Sequence, residues 1–180
     1  MNRLNLLLGA VTLALLSLSA SPVLAQCSAA GGPASCSLPG SVSMTAGRVI
    51  RLQMTATSTT LTAPTAADFD AGFNSTSGPT LTVSSNSSWR LYVRSSTPVW
   101  SAANTAPGAP ARIDKPVGDL RWSTNAGGPF AALTTTDANL LAGVATAADT
   151  RTLYFQTAYS WLFDTPGDYG LTLVLSLTAP

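Results

Sequence analysis

Apolar and polar residues alternate with a period of two along most of the chain after Ser41. Successive side chains of a strand point to opposite faces, so this period predicts half-buried strands. Residues 49–55 set Ile50, Leu52 and Met54 on one face, with Arg51 and Gln53 on the other. Residues 80–84 bring Leu81 and Val83 together. Beyond Asn86-Ser87-Ser88, the residues Trp89, Leu91 and Val93 alternate with Arg90, Tyr92 and Arg94, and the two runs read as a hairpin. Leu120 and Trp122 mark another short strand. The last run is the longest: Tyr169, Leu171, Leu173, Leu175 and Leu177 share a face opposite Thr172, Val174, Ser176 and Thr178. Asp164-Thr165-Pro166-Gly167-Asp168 before it is a turn, because Pro fixes φ and Gly tolerates positive φ. Residues 153–158 precede that turn and are expected to pair antiparallel with the final strand.

Two stretches depart from the pattern. Residues 102–118, rich in Pro, Gly and Ala, predict a long exposed loop. Residues 136–149 predict a short helix with Asp137 as cap and Leu140 and Leu141 inward, although Gly143 weakens it. Short strands separated by turns, without alternating helices, give an all-β fold: a single antiparallel β-sandwich of Ig-like or pilin-like type.

Residues 1–25 read as a cleaved signal peptide. Arg3 supplies the positive n-region, 4–18 are almost wholly apolar, and Val23-Leu24-Ala25 fits a cleavage site before Gln26. Leu24-Ala25-Gln26-Cys27 is close to a lipidation box, but Gln26 stands where a small residue is needed. The mature organisation expected is an N-terminal segment, 26–40, closed by a Cys27–Cys36 disulfide, followed by the sandwich over 41–180. In an exported chain such a pair is by default a disulfide, and closing so short a loop restricts the unfolded chain by about 2.7 kcal/mol. No later run is long and apolar enough to span a bilayer as a helix.

Composition narrows the function. Nine Lys and Arg less Arg3 leave eight cations, against eight acids, so the mature chain is formally neutral. Without surplus positive charge there is no driving force for nucleic acid or anionic lipid. The acids are all Asp, Lys115 is the only Lys, and 23 Thr and 18 Ser after residue 25 supply the polar surface. That composition suits strands and turns rather than surface helices.

The chain lacks His and Glu, which removes the commonest general base and every Ser-His or Cys-His pair. Arg112 stands three residues before Lys115, so the Ser-x-x-Lys pattern is absent too. No spacing singles out two Asp as a hydrolytic pair. We therefore expect no catalysis, no cofactor and no metal site. Calcium would have to use Asp68 and Asp70, or Asp164 and Asp168, and turn-forming Asp is the preferred reading of both pairs. Among the tryptophans, Trp89 and Trp122 alternate in phase with core residues. Trp100 and Trp161, with Tyr159 beside the latter, are the candidates for an exposed glycan- or partner-binding surface.

Asn86-Ser87-Ser88-Trp89-Arg90-Leu91-Tyr92-Val93 resembles the first Trp-x-Leu signature of WxL cell-surface domains, and the ending from Tyr169 to Pro180 resembles their closing strand. Leu175 stands where the second signature Trp would be. Asp164-x-Pro-Gly-x-Tyr169 before a terminal alternating strand is also similar to fimbrial-like secreted β-sandwiches. The resemblance implies an extracellular surface role. With the export signal, the neutral hydroxyl-rich composition, the strand periodicity and the missing catalytic groups, it leads us to expect a non-catalytic secreted or cell-envelope structural protein, a surface-layer, fimbrial or adhesion-type module. Its partners would be other envelope or surface proteins or copies of itself; the alternative is a secreted module binding cell-wall polysaccharide or another glycan. The terminal strand would pair with a neighbour if it lay at a sheet edge, but an internal core strand is the preferred reading.

Overall fold

The computed structural model describes residues 27–28, 30–32, 35–38, 40–105 and 110–180. The expected signal peptide lies outside the described residues. The chain divides into two units, Met1–Thr45 and Ala46–Pro180. In the first unit Cys27 and Cys36 are paired, with Cα atoms 5.8 Å apart. Residues 40–45 have no regular secondary structure, and Leu38, Val42 and Met44 are exposed.

The second unit is an antiparallel β-sandwich with the strands β1 (Ile50–Met54), β2 (Phe73–Ser85), β3 (Trp89–Ser95), β4 (Ser101–Ala103), β5 (Leu120–Ser123), β6 (Ala131–Ala132), β7 (Ala138–Gly143), β8 (Thr146–Ala158), β9 (Asp168–Gly170) and β10 (Leu173–Thr178). One sheet has the order β1-β2-β8-β5-β6, a second β10-β3-β7, and β4 pairs with β9. A short α-helix, α1 (Ala66–Ala71), follows Thr65. The Thr65 hydroxyl accepts the Asp68 amide while the Asp68 carboxylate accepts the Thr65 amide at 2.7 Å. This reciprocal capping satisfies two amides that a helix start leaves orphaned. Gly72, at φ 78°, ends the helix in the left-handed conformation.

The inward positions of both sheets form one core. Leu81 and Val83 of β2, Leu120 and Trp122 of β5, and Leu153 and Phe155 of β8 join Trp89, Leu91 and Val93 of β3 and Leu140 of β7. Fully burying such a side chain contributes about 1.5–3 kcal/mol. The outward faces of β2 and β8 carry hydroxyls that bond each other, Thr80 to Thr152 at 2.9 Å and Thr82 to Thr150 at 3.3 Å. Arg48 ties the ends of the unit together by donating to the Ala179 carbonyl at 3.2 Å.

Four expectations are corrected. β2 and β3 are not a hairpin: β2 pairs with β1 and β8, and β3 with β10 and β7. Their apolar faces belong to opposite sheets, and Asn86 turns the corner by accepting the Val49 amide and donating to the Gly47 carbonyl, both at 2.8 Å. Likewise β8 does not pair with β10. The chain between them passes through β9, which pairs with β4, and crosses to the other sheet. The helix expected over 136–149 is instead β7 and the start of β8. Gly143 sits under the Trp89 ring, where an added Cβ would lie 2.7 Å from Cζ2, so close packing rather than helix propensity decides that segment. Finally β10 is an edge strand, not an internal one.

Candidate functional site

A cavity of about 1280 Å³ opens into the sandwich. Leu52 and Met54 of β1 line it, as do Leu173 and Leu175 of β10, with the core residues Leu153 and Phe155 behind them. It exists because β1 pairs only with β2 and β10 only with β3, leaving each at the edge of its sheet. The inward leucines Leu52, Leu173 and Leu175 pack on the core yet remain only partly buried. The outer backbone edge of β10 is unpaired among the described residues. An exposed strand edge beside apolar side chains is the arrangement that accepts a further strand.

Trp100, Lys115, Tyr159, Trp161 and Asp164 also line the cavity. Trp161 is 62% exposed, as expected; its ring stacks on Phe69 at 4.6 Å and its indole N–H donates to Asp70 Oδ1 at 3.0 Å. Tyr159 is partly buried, 5.4 Å from the Phe69 ring. Burial raises its phenol above the ordinary value of 10.0, with the Asp68 and Asp164 charges adding to the effect. Trp100 corrects the sequence expectation, being only 5% exposed. The loop after it folds back: Trp100 bonds the Lys115 carbonyl through its amide at 2.9 Å and the Pro116 carbonyl through its indole N–H at 3.1 Å. Within the stretch expected to be an exposed loop, Ala111, Lys115 and Val117 are buried.

The composition of the loop concealed a charged cluster. The Lys115 ammonium, whose side chain is 3% exposed, donates to Asp164 Oδ1 at 2.8 Å, Asp119 Oδ2 at 3.1 Å and the Ala158 carbonyl at 3.0 Å. Three donors meet three acceptors. Arg112 also donates to Asp164 Oδ1 at 3.2 Å and to Asp114 at 3.1 Å. Burial works against the Arg112 charge, but its bonds to Asp164 and Asp114 carry the guanidinium above its ordinary value. The Ser160 amide donates to Asp164 Oδ2 at 2.8 Å. The one sequence signal for this cluster was a solitary Lys in a chain otherwise using Arg.

The four Asp weighed for calcium have other partners or positions. Asp68 caps α1, and its bonds to the Thr65 backbone and hydroxyl hold its carboxyl below the ordinary 3.8. Asp70 accepts from Trp161, Asp164 sits in the ion cluster, and Asp168 begins β9. No group of three Asp or Cys is placed to hold a metal ion among the described residues, and no described helix is long and apolar enough to cross a membrane. Neither a protein-family description nor a curated protein matches this chain.

Proposed function

We propose that this chain is a non-catalytic, exported cell-surface or envelope structural module that assembles by accepting an apolar strand into its open cleft. The observation that carries the reading is the cleft itself, bordered by the unpaired edge of β10. The occupant is residues 37–45 of a second copy. Leu38, Gly40, Val42 and Met44 fall in one two-residue phase, and the three large ones are exposed at 51%, 101% and 89%. Nine extended residues reach about 30 Å, ample to run beside the six-residue β10 at about 20 Å. Backbone hydrogen bonds to the β10 edge would add affinity, and the alternating side chains would fill the apolar floor.

Gel filtration with light scattering on the chain from Gln26 onward tests this. Assembly is expected to grow with concentration and to vanish in a Val42→Asp, Met44→Asp double variant, whose sites lie outside the sandwich unit. A wild-type chain that stays monomeric at every concentration refutes it. Fractionation of the native host, followed by immunoblot, is expected to recover the chain in the envelope or in large assemblies. The glycan-binding alternative rests on the exposed Trp161 and its stacked Phe69. Trp100 offers no free ring face for the paired platform that reading needs. It predicts retention on isolated cell walls that Trp161→Ala abolishes.

A further inference from the structure

We propose that Lys115 and Asp164 condense, once the chain has folded, into an internal amide bond, with Asp119 moving the protons. This inference is independent of the assembly reading.

The reactants are held together and out of water. Lys115 is the only amine side chain of the protein, and its Nζ lies 2.8 Å from Asp164 Oδ1, one bond from the carboxyl carbon it would attack. The two side chains are 3% and 7% exposed. Fixing two reactants at contact distance removes the entropic cost of a bimolecular encounter, worth about 7–11 kcal/mol in well-aligned cases. A second carboxylate, Asp119, lies 3.1 Å from the same nitrogen and more open to solvent, at 24%. Two further donors address the Asp164 carboxyl: Arg112 Nη1 at 3.2 Å from Oδ1 and the Ser160 amide at 2.8 Å from Oδ2. Donors fixed at a carboxyl stabilise the negative oxygen that develops when its carbon becomes tetrahedral.

The step balances without an oxidant or an added reagent. Asp119 accepts a proton from the ammonium, and the Nζ lone pair attacks the Asp164 carboxyl carbon to form the N–C bond. One carboxyl oxygen departs, taking two protons that came from the nitrogen by way of Asp119, and leaves as water. Asp119 ends as it began. An ammonium and a carboxylate are replaced by a neutral amide, which relieves the cost of keeping both charges desolvated. The bond would join the segment ahead of β5 to the turn ahead of β9, 49 residues apart.

The experiment is intact-mass spectrometry of the folded wild-type chain from Gln26 onward, followed by tryptic mapping under denaturing, reducing conditions. With the Cys27–Cys36 disulfide reduced before weighing, we expect the intact chain to weigh one water molecule less than its sequence. Because Pro116 follows Lys115 and blocks cleavage there, the map should contain one branched species joining residues 113–121 to residues 152–180. Lys115→Met and Asp119→Asn should return the full sequence mass. A folded wild-type chain at full mass overturns the proposal. So does a water loss confined to a linear peptide, which would mark a succinimide. Retained branching in Asp119→Asn overturns the proton-transfer role. The wild-type mass decides the main point even if a variant fails to fold.

Discussion

Replacing Gly143 with Ala tests the packing that turned an expected helix into a strand. The new Cβ would stand 2.7, 2.8 and 3.0 Å from Cζ2, Cε2 and Nε1 of Trp89, where ordinary contacts begin at 3.4 Å. The ring cannot easily withdraw, because Trp89 is 1% exposed and its indole N–H is bonded to the Val144 carbonyl at 2.9 Å. Overpacking of this kind costs about 1–3 kcal/mol, and loosening the indole bond about 1 more. Ala recovers roughly 0.5–1 kcal/mol over Gly within a strand. The net expectation is a loss of about 1–3 kcal/mol, or a Tm fall of roughly 2–12 °C for a domain of this size. Thermal melts followed by circular dichroism measure it, and Trp89→Phe completes a double-mutant cycle. If the clash with the indole is the cause, Gly143→Ala should cost at least about 1 kcal/mol less in the Phe background. Wild-type stability of Gly143→Ala, or costs that add within about 0.5 kcal/mol, refutes the reasoning.

Other consequences are cheaper to check. Thr65→Ala removes the cap of α1 and should cost about 1 kcal/mol locally, seen as faster hydrogen exchange of the Asp68 and Phe69 amides. Because Asp68 is held below its ordinary 3.8, its stabilising contribution is present above that pH and is lost as pH falls through the lower, folded value; Asp68→Asn should flatten that acid limb. Tyr159 behaves oppositely. Its raised phenol favours the folded state below pH 10.0, and the benefit is lost as pH rises through the folded value, so Tyr159→Phe should melt with a shallower alkaline decline. A collisional quencher should reach Trp161, at 62% exposure, and spare Trp89, Trp100 and Trp122, all at 9% or less. Trp161→Phe should therefore abolish nearly all the quenching, and persistent quenching would place Trp100 outside the core.

Periodicity carried the strands because an alternating run has only one face to bury. Leu81, Val83, Trp89, Leu91 and Val93 are all buried where alternation put them. Pairing was not legible, since an inward face fits either sheet of a sandwich. Nothing within residues 80–94 distinguishes a hairpin from a chain crossing between sheets; that choice is made by Asn86 bonding residues 47 and 49. The helix expected over 136–149 failed because local propensity cannot register the Trp89 ring over Gly143. Trp161, read as exposed, is exposed, and it lines the cleft together with Tyr159 and Trp100. Trp100 was misplaced because the backbone bonds that bury it come from residues 15 and 16 further along. The Lys115 cluster gathers residues from 112 to 164, a convergence that no local window contains.

The bond from Arg48 to the Ala179 carbonyl brings the start and finish of the sandwich to one pole. This has a mechanical consequence. Tension entering before β1 and leaving after β10 crosses only that pole, while the long β2–β8 ladder stays off the load path. Force would first part Arg48 from Ala179, then peel the edge strands from their end pairs, Ile50 with Ser85 and Thr178 with Arg90. Peeling breaks hydrogen bonds one after another rather than in parallel, so each joint would yield at low force and close again on release. A row of such units would stretch stepwise, one edge strand at a time.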